Sequence, residues 1–261
     1  MSGAGGESPW IRRFHPPAVP PGRPVPVLVV LPHAGGSASF YFPLSRDLAA
    51  HAEVLTVQYP GRQERLGEPS PDTIAGLADG VERALEPWRG RPLVLFGHSM
   101  GAVLAYELAR RMETAGETPR GLIVSGRRSP LAGREGDREE EHLHARDDDA
   151  LLAHVHSLSG TDPALLADPA FRELILPALR SDYRAVETWR HEPGPPLRTP
   201  VSVLCGDADP RASLAEARGW RDVAGAGFGF RGFPGGHFYL TEQHAAVVRA
   251  VAEDLAGFTA G

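Results

Sequence analysis

A serine set between two glycines, in Gly97-His98-Ser99-Met100-Gly101, joins the apolar run Pro92-Leu93-Val94-Leu95-Phe96 to a helix-forming run that starts at Ala102. A strand that turns sharply into a helix through G-x-S-x-G presents its serine hydroxyl at the end of a sheet, where it can attack an acyl carbon. The glycines suit a turn too tight for a Cβ, and the serine between them is held under strain. The flanks lend the pentapeptide its weight. A short, wholly apolar run reads as a buried parallel strand, and Val103, Leu104, Leu108 and Met112 follow at the spacing of a helix packed on a sheet.

An alkyl hydroxyl is a weak nucleophile and needs a base within hydrogen-bond reach, itself oriented by a carboxylate. In a strand–elbow–helix architecture these partners follow in the chain order serine, acid, histidine. His237 is the favoured base, because Gly235-Gly236 after the strand-like residues 228–233 give its loop freedom to present an imidazole. For the acid, Gly206-Asp207-Ala208-Asp209-Pro210 offers two carboxylates. Asp209, further past the strand end, is favoured to lean toward the elbow, and Asp207 to cap the turn. The oxyanion of a tetrahedral intermediate needs two backbone N–H groups. Met100, directly after the serine, supplies one; Ala34, in the glycine-rich Pro32-His33-Ala34-Gly35-Gly36-Ser37, supplies the other.

The other histidines fit other roles. His98 packs beside the turn, His191 and His244 read as surface residues, and the pairs His142/His144 and His154/His156 lack the ligand spacing of a zinc site. No metal or organic cofactor is expected. All 27 basic residues are arginine and the chain has no lysine, which excludes lysine-based mechanisms. A net charge of −6 argues against nucleic acid as a partner. No apolar window approaches a membrane span, no secretory signal is visible, and the single Cys205 forms no intramolecular disulfide. A cytoplasmic protein with no demand for more than a monomer is expected.

The elements that position these residues alternate. Strands are predicted at 25–31, 53–59, 121–126 and 200–206, besides those before Ser99 and His237. Helices are predicted around Phe40, Leu44 and Leu48, and over 72–88 with Asp72 as N-cap. Strands alternating with helices imply an α/β class with a mostly parallel sheet covered on both faces. A proline- and glycine-rich tail occupies 1–24, and the core runs over 25–130 and 198–258. Residues 131–197 form a helical insertion placed where a lid would cover the elbow. Its charged part, 133–149, reads as a solvated loop. Two amphipathic helices follow: one carries Leu151, Leu152, Val155 and Leu158; the other carries Phe171, Leu174, Ile175, Leu179, Tyr183 and Val186, kinked at Pro177.

With these residues placed, the chain resembles the type II thioesterases of polyketide and nonribosomal peptide synthesis over about residues 10–256. The resemblance rests on Leu31-Pro32-His33-Ala34-Gly35-Gly36-Ser37-Ala38, Tyr59-Pro60-Gly61-Arg62 with Glu68-Pro69, the elbow pentapeptide with Ala102, and Ser125-Gly126-Arg127-Arg128-Ser129-Pro130. It continues through Leu176-Pro177-Ala178-Leu179-Arg180-Ser181-Asp182-Tyr183, Gly206-Asp207-Ala208-Asp209-Pro210 and Gly235-Gly236-His237-Phe238. It implies an α/β-hydrolase fold with a helical lid and a stand-alone enzyme, involved in antibiotic biosynthesis. Such an enzyme hydrolyses stalled or aberrant acyl groups from the phosphopantetheine thiol of acyl or peptidyl carrier domains. It further implies Ser99, Asp209 and His237 as the triad and Ala34 and Met100 as oxyanion donors. A general carboxylesterase or lipase using the same triad, and a catalytically idle carrier-binding protein, are the alternative readings.

Overall fold

The apolar runs at the centre of the chain's sheet become strands because they are buried on both faces. A computed structural model describes residues 8–18, 25–132, 142–158 and 168–260. Seven strands, β1 (Ile11–Arg12), β2 (Val27–Leu31), β3 (Glu53–Val57), β4 (Leu93–His98), β5 (Gly121–Ser125), β6 (Val201–Gly206) and β7 (Phe228–Phe233), form one sheet in the order β1-β3-β2-β4-β5-β6-β7. Only β1 runs antiparallel to its neighbour. Successive side chains of a strand point to opposite faces. Accordingly Val27, Val29 and Leu31 enter one apolar cluster, while Leu28 and Val30 enter the other. A sheet covered on one side only would show alternating polarity instead.

The described helices are α1 (Phe42–Leu48), α2 (Ile74–Leu85), α3 (Met100–Thr114), α4 (Asp148–Ser157), α5 (Pro169–Thr188), α6 (Leu214–Arg218), α7 (Tyr239–Glu242) and α8 (His244–Thr259). Helices α2 and α3 pack in the first cluster, and α1 and α8 in the second. A third, smaller cluster joins Leu151 and Leu152 of α4 to Leu179 and Tyr183 of α5. No described helix is long and apolar enough to cross a membrane.

Several expectations are corrected in detail. Within the predicted tail, Ile11 and Arg12 pair with Val57 and Thr56, and Ile11 is buried, so this stretch is an edge strand. Thr73 rather than Asp72 caps α2: its hydroxyl accepts from the Gly76 N–H at 3.0 Å. The end of the predicted charged loop is helical instead. Asp147 is the N-cap of α4, and Asp148 and Asp149 fill its first turn, where negative charge is favoured by the helix dipole. In keeping with the single helix expected there, α5 runs over Pro169–Thr188 with Pro177 inside it. Leu174, expected on its apolar face, is 45% exposed, whereas Asp182 takes a fully buried place on that face. Glu139-Glu140-Glu141 and much of the predicted tail lie outside the described residues.

Candidate active site

The carboxyl ends of β2, β4, β6 and β7 converge on one edge of the sheet and carry the residues singled out above. At the end of β4, Ser99 has φ 55° and ψ −112°, a conformation seldom adopted by a residue with a side chain. What enforces it is close backbone packing. A Cβ at Gly97 would lie 2.0 Å from the Gly101 carbonyl oxygen, and one at Gly101 would lie 2.0 Å from that of Leu31. The Ser99 N–H donates to the Ser125 carbonyl at 2.8 Å, tying the elbow to β5. Ser99 itself is half-buried, and Met100 opens α3. The first N–H groups of a helix have no partner within it, which leaves the Met100 N–H suited to an anion.

His237 and Asp209 meet although 28 residues separate them. The His237 Nδ1 lies 2.9 Å from Asp209 Oδ2 and 3.0 Å from Oδ1, and both residues are buried. The Arg211 N–H donates to Asp209 Oδ1 at 2.8 Å and fixes the carboxylate from the other side. Asp207 has a different task. Its Oδ1 accepts from the Gly235 N–H at 3.0 Å, and the Ala208 N–H donates to the Gly235 carbonyl at 3.0 Å. These two bonds zip the acid loop to the base loop. A Cβ at Gly206 would lie 2.4 Å from the Gly236 carbonyl oxygen, so the approach needs a glycine there. With Nδ1–H given to the carboxylate, Nε2 keeps its lone pair and can accept a proton.

The loop after β2 is held by side chains from three directions. Tyr59 donates its hydroxyl to the Pro32 carbonyl at 3.2 Å, Tyr41 pairs with His33 Nδ1 at 3.0 Å, and Asp182 Oδ2 accepts from the Gly35 N–H at 2.8 Å. An apolar cavity of about 90 Å³ borders this loop, lined by Ala34 and Gly35, by Ile175, Leu179 and Tyr183 of α5, and by Phe238.

Behind the site the imidazoles of His33, His98 and His237 form a chain, with ring centroids 5.8 Å apart between the first two and 5.0 Å between the last two. Ser125 Oγ bridges His98 Nδ1 at 2.9 Å and the Tyr239 hydroxyl at 2.6 Å. Burial, reinforced by His237 and Arg62, lowers the His33 pKa to about 3. Burial likewise holds His98 well below its ordinary value, with His237 and His33 adding to it. Both rings are therefore neutral in the folded chain at neutral pH, while the unfolded chain takes up protons as pH falls below the ordinary histidine value of 6.5. Their contribution is fully present above that value and is lost as pH falls toward 3. Between pH 7 and 5, His33 alone is expected to remove about 2 kcal/mol of stability, and His98 to act in the same direction. Thermal melts at the two pH values check this; an unchanged or higher Tm at pH 5 would contradict it.

Elsewhere, His144 pairs with Glu187 at 2.5 Å and His244 with Asp47 at 2.7 Å. Among the described residues no group of three or more histidine, cysteine, aspartate or glutamate side chains is arranged to hold a metal ion. Cys205 is buried and donates its thiol to the Ala212 carbonyl at 3.1 Å. Burial pushes that thiol up to about 12, so it is no nucleophile at neutral pH. The sequence reading missed the Asp182 contact and the Ser125–Tyr239 bridge. A signal for the first was present: an aspartate among Leu179, Tyr183 and Val186 on the apolar face of a helix calls for a buried partner.

Residues 26–255 match the family described as the thioesterase domain. The chain is 47% identical to thioesterase PikA5 of Streptomyces venezuelae over 249 residues, covering 94% of this chain and 85% of that protein. It is 46% identical to a probable cadicidin biosynthesis thioesterase of Streptomyces griseus, covering 94% of this chain and 66% of the other. Among solved structures, the type II thioesterase BorB of the borrelidin biosynthetic cluster superposes with a TM-score of 0.84 at 44% identity, covering 94% of this chain and 97% of that one.

Proposed function

The chain belongs to the thioesterase family and has its α/β-hydrolase fold, and from that premise we propose that it is an editing enzyme of polyketide or nonribosomal peptide synthesis. It clears stalled or aberrant acyl groups from the phosphopantetheine thiol of acyl or peptidyl carrier domains. Ser99, His237 and Asp209 act as its triad, and the Ala34 and Met100 N–H groups bind the oxyanion. The observation that carries this reading is the buried His237–Asp209 pair, whose imidazole lies 5.0 Å, centroid to centroid, from that of His98, the residue before the strained Ser99.

Ser99 Oγ attacks the thioester carbonyl carbon while His237 Nε2 takes its proton, and the carbonyl oxygen becomes an oxyanion held by the two N–H groups. Collapse breaks the C–S bond, and the pantetheine sulfur leaves with the proton from His237. Water then adds to the acyl-serine, giving a proton to His237. The C–O bond to Ser99 breaks, Ser99 recovers its proton, and the carboxylic acid departs. No metal or organic cofactor enters these steps. Helices α4 and α5, the described helices of the 131–197 insertion, shelter the acyl chain, with Leu179 and Tyr183 of α5 at the apolar cavity. The enzyme works as a cytoplasmic monomer.

Mass spectrometry of a panel of acyl-loaded carrier proteins after exposure to the enzyme tests the reading. Release of short or branched acyl groups from carriers is expected, at rates well above those for matched soluble oxygen esters. Faster cleavage of the oxygen esters would favour a general esterase, and no release from any carrier would remove the editing role.

A further inference from the structure

Helix α5 reaches the loop after β2 through two side chains one turn apart. Leu179 sits so close to Gly35 that a Cβ there would lie 2.8 Å from its Cδ1 and push that side chain aside, and the φ of 73° at Gly35 is what calls for glycine. One turn on, Asp182 Oδ2 accepts from the Gly35 N–H at 2.8 Å and also from Arg62 Nη2. The Asp182 side chain is 0% exposed and that of Arg62 8%. Arg62 lies 5.1 Å over the ring of Tyr59, whose hydroxyl holds the Pro32 carbonyl of the same loop.

A buried ion pair is a weak source of stability, because removing two charges from water offsets most of their attraction; an apolar pair of similar volume often does as well or better. What this pair does supply is direction. Burial pushes the Asp182 carboxyl up, while Arg62 and the Gly35 N–H oppose that rise. A carboxylate oxygen fixed in this way aims one peptide group of the loop, the one joining Ala34 to Gly35. Turning that peptide changes the backbone of Ala34 directly.

We propose that Asp182, backed by Arg62, is a positioning residue of the oxyanion hole: by holding the Gly35 N–H it sets the orientation of the adjacent Ala34 N–H. Helix α5 is thereby coupled to the hydrolytic step and is more than a cover for the acyl chain. The proposal rests on the acyl-serine reading above.

The test replaces the pair by apolar residues, Asp182→Leu with Arg62→Met, so that no charge is left buried alone and the fold is retained. Four quantities are read: Tm, kcat, KM, and the affinity of a trifluoromethyl ketone whose serine adduct carries the oxyanion. A tenfold to hundredfold fall in kcat is expected, on the order of that for a misplaced donor. The ketone should weaken by a similar factor, while KM stays within about threefold and Tm within a few degrees. A folded double variant with wild-type kcat and ketone affinity would overturn the proposal, and so would a loss confined to KM.

Asp182→Asn gives a second reading, since its amide oxygen still accepts from Gly35. It is expected to lower Tm but to keep kcat within about threefold. A folded Asp182→Asn enzyme as slow as the double variant is expected to be would count against the hydrogen bond as the cause. Full activity in Ser99→Ala would instead sink the acyl-serine reading itself. An active, Ser99-dependent enzyme that is insensitive at Asp182 would sink this inference alone.

Discussion

Ser99→Ala is expected to lower kcat/KM for thioester hydrolysis by about three orders of magnitude or more while leaving the fold intact. The hydroxyl is the only group of Ser99 that the proposed chemistry uses. The strained turn around it is imposed by the backbone packing of Gly97 and Gly101 and does not depend on Oγ. Without the nucleophile no acyl-enzyme forms, and the residual rate reflects substrate binding and the oxyanion donors acting on water. Two measurements check this together. Intact-protein mass spectrometry of the wild-type enzyme mixed rapidly with an acyl-carrier thioester should show an acyl adduct that is missing from Ser99→Ala, and steady-state hydrolysis should fall as stated. Activity within tenfold of wild type in a folded variant would leave Ser99 without a catalytic role. If neither protein hydrolysed any carrier thioester, a catalytically idle carrier-binding module would fit better.

The second large effect is expected at Asp209, with Asp207 as its control. Asp209→Asn keeps the size of the side chain but can turn an N–H toward His237 Nδ1, which favours the tautomer whose proton sits on Nε2. A ring in that state cannot take the proton of Ser99, and kcat should drop about a thousandfold to ten-thousandfold. Asp207→Asn is different in kind. Its amide oxygen can still accept from the Gly235 N–H, the contact that joins the two loops, so kcat should stay within about threefold and the main effect should be a small loss of Tm. Measured side by side on one thioester, the two variants decide between carboxylates only two residues apart. Equal losses, or the larger loss at Asp207, would reverse the assignment.

How much of this was legible beforehand depended on how local each cause is. Strands β2 and β4 announce themselves because burial on both faces leaves no polar position in β2 and none in β4 before His98 at its end, and β7 matches its predicted bounds, 228–233. The pairing of Asp209 with His237 could be approached through chain order and the glycines that loosen the second loop. In contrast, β1 is two residues long, too short for any periodicity to register, and only its pairing with Val57 and Thr56 makes it a strand. The cap of α2 moved by one residue because Asp72 and Thr73 are both good caps and only backbone geometry chooses between them. Leu174 was misplaced because a helix stripe inferred from spacing has soft edges, and the exposed residue lies at one of them. The contact of Arg62 with Asp182 spans 120 residues, and no pattern within either segment names the other.

Gly101 lies against the carbonyl of Leu31, so the start of α3 and the end of β2 meet backbone to backbone. Ala34 departs from one of these segments and Met100 belongs to the other. The distance between the two segments that carry the proposed oxyanion donors is therefore gauged by main-chain atoms, which no rotamer can adjust, while the proposed task of Asp182 is to turn the Ala34 N–H within that distance. The apolar cavity proposed for the acyl chain, by contrast, is walled in part by replaceable side chains of α5. Substitutions at Ile175, which takes no part in holding the Gly35 N–H, can then retune which acyl chain fits, whereas changes at Leu179 or Asp182 reach the oxyanion loop as well, so that preference for substrate and power of catalysis are separable at some positions of α5 and joined at others.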